Sequence, residues 1–262
     1  MAIRSLDDYI AAVKQRLVYM KTGPRTMIPA QPFSVFDVAG NPCGKLTIGN
    51  TANGVVPVSG TPGYPVINTI AKDAYISRLE FGSSVPGRWY LYDRVFAAGA
   101  YPHNAKVTLT SQPSYAARLP GTNYKGLEVW VEAVSAFGGL EAVVVTYTNQ
   151  DGTTGHNTDA VTVGAPPTLG QCWKLPLAAG DTGIQRIEGV MAGGIGKVGS
   201  FNVMVLRPLG MCRVRVANDG DVQDMLKTGL PQIYGTSALY MLVANDSTAL
   251  GLPEFCIEVC DG

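Results

Sequence analysis

The clearest strand pattern in the chain is Trp89-Tyr-Leu-Tyr-Asp-Arg-Val-Phe96, rich in aromatic and β-branched residues and preceded by the turn-like Val85-Pro-Gly87. Trp89, Leu91 and Val95 share one face with Asp93, and Tyr90, Tyr92 and Phe96 share the other with Arg94. Both faces are bulky, which predicts a central, sandwiched strand. A related run, Phe201-Asn-Val-Met-Val-Leu-Arg207, comes later. Its neighbours echo those of the first. Ile76-Ser-Arg-Leu-Glu80 precedes one run and Ile184-Gln-Arg-Ile-Glu188 the other. Gly126-Leu-Glu-Val-Trp-Val-Glu132 and Ala238-Leu-Tyr-Met-Leu-Val243 follow. Each half closes on Asp-Gly, at Asp151-Gly152 and Asp261-Gly262.

The spacing predicts main strands near 75–82, 88–97, 126–134, 142–150, 183–191, 200–207, 238–244 and 254–260. Weaker strands are expected at Ala105–Thr110, Ala160–Thr162, Gln171–Leu175 and Cys212–Ala217. Four strands followed by four more predict an all-β fold, a jelly-roll-like antiparallel β-sandwich over 75–262. One domain of two sheets buries the inner face of each half. In Leu127–Ala133, the residues Leu127, Val129, Val131 and Ala133 point inward and leave Trp130 outside among glutamates. A tryptophan there calls for a cover. Arg78 with Glu80, and Arg186 with Glu188, are expected as same-face charge pairs.

Two different segments precede the sandwich. Over residues 1–22, Ser5-Leu-Asp-Asp8 resembles a capping box, and Leu6, Ile10, Val13, Leu17 and Met20 form one apolar stripe at helical spacing. Gly23-Pro24 ends the predicted helix. Its stripe packs either on its own β domain or on a neighbouring subunit. Residues 23–74 carry seven prolines among glycines and small residues, with brief strands expected at Phe33–Asp37, Lys45–Ile48 and Val55–Val58. They predict an extended arm that reaches another molecule. The candidate interface is therefore Leu6, Ile10, Val13, Leu17, Met20 and Trp130.

Composition narrows the function more than it names it. Apolar residues make up 46% of the chain and charged residues 15%, so a core is possible and disorder is not expected. Net charge is zero with no basic block, which argues against nucleic acid. No apolar run is long enough for a membrane helix. The polar, acidic N-terminus is unlike a signal peptide, so synthesis in a cytoplasm is expected. The five cysteines, at 43, 172, 212, 256 and 260, include no CxxC pair and read as buried free thiols.

Candidate chemistry is sparse. Gly194-x-Gly196-x-x-Gly199 matches a dinucleotide fingerprint as a string, but a strand-like segment follows it instead of a helix. His103 and His156 both fall in loops, with no Gly-x-Ser-x-Gly and no Cys/His cluster. Asp219, Asp221 and Asp224 form a carboxylate-rich loop compatible with calcium, although helix capping by Asp221 accounts for it. Gly229 is expected to end the short helix that follows. No enzyme and no cofactor are expected.

Several strings taken together resemble a family. They are Trp89-Tyr-Leu-Tyr-Asp-Arg94, Leu127-Glu-Val-Trp-Val-Glu132, Thr146-Tyr-Thr-Asn-Gln-Asp-Gly152, Leu177-Ala-Ala-Gly-Asp-Thr-Gly183, Leu206-Arg-Pro-Leu209 and Leu230-Pro-Gln-Ile-Tyr234. Ser5-Leu-Asp-Asp-Tyr-Ile10 and Ala39-Gly-Asn-Pro42 belong with them. Their order and spacing are similar to virion structural proteins of tailed bacteriophages. The resemblance implies a particle component without catalytic residues. The role expected of it is that of a head decoration or cement protein, a homotrimer held to the major capsid protein or other virion proteins. A tail-associated host-recognition or carbohydrate-binding module is the alternative.

Overall fold

In the computed structural model, which describes residues 5–68, 74–163, 169–193 and 198–261, the chain is all-β and antiparallel. A helix α1 (Leu6–Ala12) leads into β1 (Val13–Lys21), β2 (Phe33–Ser34), β3 (Gly40–Asn41) and β4 (Asn50–Val55). The first half continues with β5 (Ala74–Ser83), β6 (Gly87–Pro102), β7 (Lys106–Thr108), β8 (Glu128–Ala133) and β9 (Glu141–Asn149). Short strands β10 (His156–Asn157), β11 (Val161–Val163) and β12 (Cys172–Leu175) connect the halves. The second half holds β13 (Ile184–Ala192), β14 (Ser200–Val214), β15 (Asp219–Gln223), helix α2 (Met225–Thr228), β16 (Gln232–Ile233), β17 (Leu239–Asn245) and β18 (Glu254–Asp261).

Strands β6 and β14 form the spine. They pair from Gly87↔Val214 to Pro102↔Ser200. At about 3.3 Å per residue each spans roughly 50 Å, too long for one sandwich layer. The central sheet therefore serves two partners. Its order is β12-β8-β14-β6-β17-β2, with β4 added on β6. Trp89, Leu91, Cys212 and Val214 at one end pack with Leu17, Ile76, Leu79 and Ile257 of a first outer sheet, β15-β5-β18-β1-β3. At the other end, Val95, Tyr101, Phe201 and Val203 pack with Val143, Val145, Ile184 and Ile187 of a second outer sheet, β10-β9-β13-β7. The expected antiparallel sandwich is present, laid out as three sheets instead of two.

The duplication is visible in the topology. Exchanging β5 with β13, β6 with β14, β8 with β17 and β9 with β18 reverses the order β8-β14-β6-β17 onto itself. The same exchange sends the β5–β18 pair of one outer sheet to the β13–β9 pair of the other. Register agrees as well. Leu79 lies opposite Ile257 and Arg78 opposite Glu258. Ile187 lies opposite Tyr147 and Arg186 opposite Thr148. Asp151 and Asp261 thus occupy equivalent places.

Four expectations need correction. The N-terminal helix stops at Ala12, and Val13–Lys21 is a strand paired with β18 from Cys260 to Glu254. The stripe fits both periods, because Leu17, Tyr19 and Lys21 alternate inward while Arg16, Val18 and Met20 alternate outward. Pairing with β18 decides between them. The arm lies on its own chain: β2 pairs β17, β3 pairs β1, and β4 pairs β6. Its Phe36, Leu46 and Tyr64 cover Tyr92, Trp130, Met204 and Tyr240 on the second face of the central sheet. Phe96 joins the same core as Val95, because the β6–β14 register slips between Val205 and Leu206. Finally, Glu188 accepts hydrogen bonds from Thr148 Oγ1 at 2.7 Å and from the Gly155 amide at 3.0 Å. Arg78–Glu80 does pair, at 2.8 Å.

Candidate interaction surface

The residues proposed from sequence divide into two groups. Leu17 and Trp130 are buried in the chain's own cores and are withdrawn from the interface. Trp130 stands edge-on to Tyr92 at 6.1 Å and donates Nε1–H to Glu128 at 2.8 Å. Val13 is half-buried. Leu6 (71% exposed), Ile10 (62%) and Met20 (45%) lie outside, joined by Val18 (42%). They project from one surface, the outer face of the first outer sheet and the helix lying on it. Ser5 caps α1 through the Asp8 amide, and the Tyr9 hydroxyl donates to Glu258 of β18. That contact seats the helix over the Glu258–Cys260 end of the sheet and turns Leu6 and Ile10 away from the body.

Behind this surface the body is fixed by buried charge. Asp93 lies between Leu91 of one core and Val95 of the other. It accepts from Arg118, from Arg207 at 3.2 Å, from Ser237 at 2.8 Å and from the Ala238 amide at 3.0 Å. Arg118 also donates to the Pro57 carbonyl at 2.6 Å, which ties the arm to this cluster. On the opposite face, Glu132 accepts from Tyr240 at 2.5 Å, Asn202 at 2.8 Å and Arg94 at 3.5 Å. Arg94 sits 5.0 Å from the Tyr240 ring centre and 5.8 Å from that of Phe36. Burial opposes its charge, but Tyr64 and Glu132 outweigh burial and hold the guanidinium above its ordinary pKa.

The arm is anchored by two cations. Arg25 grips both oxygens of Asp37 at 2.6 Å and donates to the Ser34 carbonyl at 2.7 Å. Lys21 donates to the carbonyls of Pro42, Val38 (3.1 Å) and Phe36 (3.5 Å). Burial lowers its ammonium to about 8. Residues of the arm, among them Phe36, Cys43, Lys45, Ile48, Val56 and Tyr64, line an open cavity of about 700 Å³.

The candidate chemical residues do not converge. His103 is buried and stacked on Phe137 with ring centres 4.0 Å apart. His156 does meet a carboxylate, Asp181, at 2.7 Å, a pairing that sequence spacing does not reveal. Burial raises the Asp181 carboxyl, but hydrogen bonds from Tyr147 and Asn149 and the charge of His156 outweigh it and hold the group below its usual value. Asp219 and Asp221 lie on β15. Asp224, not Asp221, caps α2 by accepting from the Leu226 and Lys227 amides, and Gly229 closes it at a φ of 67°. Gly194 and Gly196 of the glycine string lie outside the described residues. No group of three metal-ligating side chains occurs among the described residues, and no helix there is long and apolar enough to cross a membrane.

Aromatic side chains are all at least half-covered. None of the 22 Phe, Tyr and Trp residues is exposed; Tyr9, Tyr75, Tyr90, Tyr124, Trp173 and Tyr234 are intermediate and the rest are buried.

No protein-family model and no curated protein matches the chain. Among solved structures, it is aligned with a chain of the infectious bursal disease virus Gt strain at 14% identity and a TM-score of 0.17, over 95% of this chain and 65% of that one. A chain of the Gx strain aligns at 14% identity and a TM-score of 0.13, over 95% and 42%. A mutant VP2 protein of the same virus, in derived particles, aligns at 11% identity and a TM-score of 0.14, over 95% and 77%. The chain thus spans less than two thirds of the length of the first two. Scores this low carry no argument about fold or role.

Proposed function

We propose that the chain is a non-enzymatic structural component of a tailed-bacteriophage virion, a decoration or cement protein that binds the head by protein–protein contacts. The observation that carries this reading is the pairing of a charge-pinned body with an apolar surface built from Leu6, Ile10, Val18 and Met20. A rigid body presenting such a patch gains affinity through several linked contacts without ordering cost at each. The sequence resemblance to virion proteins supports a particle role, and zero net charge suits packing on protein more than gripping DNA. Homotrimeric assembly on the major capsid protein belongs to the same proposal.

The aromatic distribution weighs against the tail-module alternative. A sugar platform needs exposed rings on the connecting loops, and every ring here is at least half-covered. Cosedimentation of the purified chain with phage heads lacking it tests the reading. Saturable binding to heads supports it. Binding to glycans or whole cells, with none to heads, replaces it with the tail module.

A further inference from the structure

The open cavity of about 700 Å³ in the arm stands apart from the head-binding surface, since none of Leu6, Ile10, Val18 and Met20 lines it. Its volume falls in the range of small-molecule sites, about 300–1,000 Å³. Part of its lining is the run Val55-Val-Pro-Val58. Extended chain with one wet face alternates apolar and polar residues; this run does not. Val56 packs on the core beneath the second outer sheet, and the Pro57 carbonyl is held by Arg118 at 2.6 Å. Val55 is left half-buried and Val58 42% exposed. Ile48, also half-buried, lines the same cavity. Phe36 lines it too, and its ring is clamped by Gly44 and Gly63, where an added Cβ would run into it. The apolar lining is therefore fixed in place before anything binds, which lowers the ordering cost of binding.

Among the described residues lining the cavity, Lys45 alone carries a charge. It is exposed and has no hydrogen bond or ion pair among the described residues. Arg25 and Lys21, by contrast, are committed to Asp37 and to the carbonyls of Phe36, Val38 and Pro42. An aliphatic hollow with one unpaired ammonium is complementary to an aliphatic molecule with one negative charge. A cationic amphiphile would meet Lys45 as a like charge.

We propose that this cavity binds a single-chain aliphatic carboxylate, with its hydrocarbon tail against Ile48, Val55 and Val58 and its carboxylate paired with Lys45. Each methylene of the tail leaves water for an apolar wall. The ion pair fixes which end of the molecule lies where. Cys43, an exposed thiol among the lining residues, is shielded when the site is filled.

Calorimetric titration of the full chain with dodecanoate, kept below its micelle-forming concentration, tests this. Saturable binding of one dodecanoate per chain is expected. Lys45→Glu weakens it about fivefold or more, and Lys45→Arg restores it. Lys106→Glu, the same charge change at an exposed lysine of β7, leaves it unchanged. Dodecanol binds more weakly than dodecanoate and is indifferent to Lys45→Glu. Val58→Asp, at an exposed position that the fold tolerates, weakens both ligands. An independent readout is maleimide labelling followed by peptide mass: dodecanoate slows modification of Cys43 and leaves that of Cys256, on the first outer sheet, at its former rate. Absence of saturable binding overturns the proposal. So does binding that ignores Lys45→Glu and leaves Cys43 labelling unchanged, which is the mark of surfactant adsorption. Neither result bears on attachment to phage heads, which is read separately by cosedimentation.

Discussion

Asp93 and Arg94, neighbours on β6, send opposite charges to opposite faces of the same sheet. Asp93 closes a network with Arg118, Arg207 and Ser237 between the two sandwich cores. Arg94 closes another with Glu132 and Tyr64 beneath the arm. Both side chains are fully buried. Each network holds together segments far apart in sequence, so the two residues join the halves to each other and the arm to both.

Removing one partner leaves the others charged and unpaired. Asp93→Ala is expected to lower the unfolding free energy by about 3–5 kcal/mol, read from urea denaturation. Glu80→Ala breaks the Arg78–Glu80 pair, whose side chains are 42% and 43% exposed. That loss stays below about 1 kcal/mol. Equal effects at the two sites would contradict a structural role for the Asp93 network.

The arm acts as a lid over the second face of the central sheet. Phe36→Ala removes a ring packed 4.7 Å from Tyr64 and 5.7 Å from Tyr240. A loss of about 3–5 kcal/mol is expected, with tryptophan emission shifted to the red as water reaches Trp130. Gly63→Val acts from the other side. Gly63 has a φ of +99°, and an added Cβ there would run into the Phe36 ring. Deleting residues 1–74 strips the same face, so insolubility of that truncation is expected, ahead of any loss of binding. A soluble truncation with unchanged emission would contradict the lid.

Lys21 gives a pH signature. Its ordinary value is 10.5, and burial brings the folded value to about 8. Between those values the unfolded chain binds more protons than the folded one. Stability contributed at this site therefore rises as pH rises through that window, and is least at neutral pH and below. Urea midpoints from pH 7 to pH 9.5 should climb in the parent chain relative to Lys21→Met, which has no such group to titrate. The variant should also be weaker at neutral pH, because the carbonyls of Phe36, Val38 and Pro42 lose their donor. Parallel pH profiles would contradict the burial of Lys21.

The duplication makes its own forecast. Leu79 and Ile187 are equivalent and fully buried. Leu79→Ala and Ile187→Ala should each cost about 2–5 kcal/mol. Arg186→Ala, at an exposed position of the same strand, should stay within about 0.5 kcal/mol. One silent core position of the two would show that the halves are not structurally equivalent.

How far the sequence discloses this structure depends on the range of the interaction. Strand alternation is local, so the echo of Ile76–Glu80 in Ile184–Glu188 discloses the repeat. The Arg78–Glu80 pair is local too. The helix boundary is ambiguous in the sequence because Leu6, Ile10, Val13, Leu17 and Met20 satisfy a helical period while Val13–Lys21 also alternates; β18, far along the chain, breaks the tie. Proline and glycine announce an extended arm but say nothing of whose surface it covers. The Asp93–Arg118 and His156–Asp181 pairs join loops to strands across irregular chain, where no spacing rule operates.

A density map at side-chain resolution of phage particles assembled in the presence of this protein is the most direct test of the proposed adhesive role. The account predicts copies on the outside of the head shell, with intact double sandwiches, and contacts to neighbouring proteins made through α1 and the Val18–Met20 face. Particles with the protein absent, or with it mounted on the tail and its loops facing outward to a host surface, would contradict it.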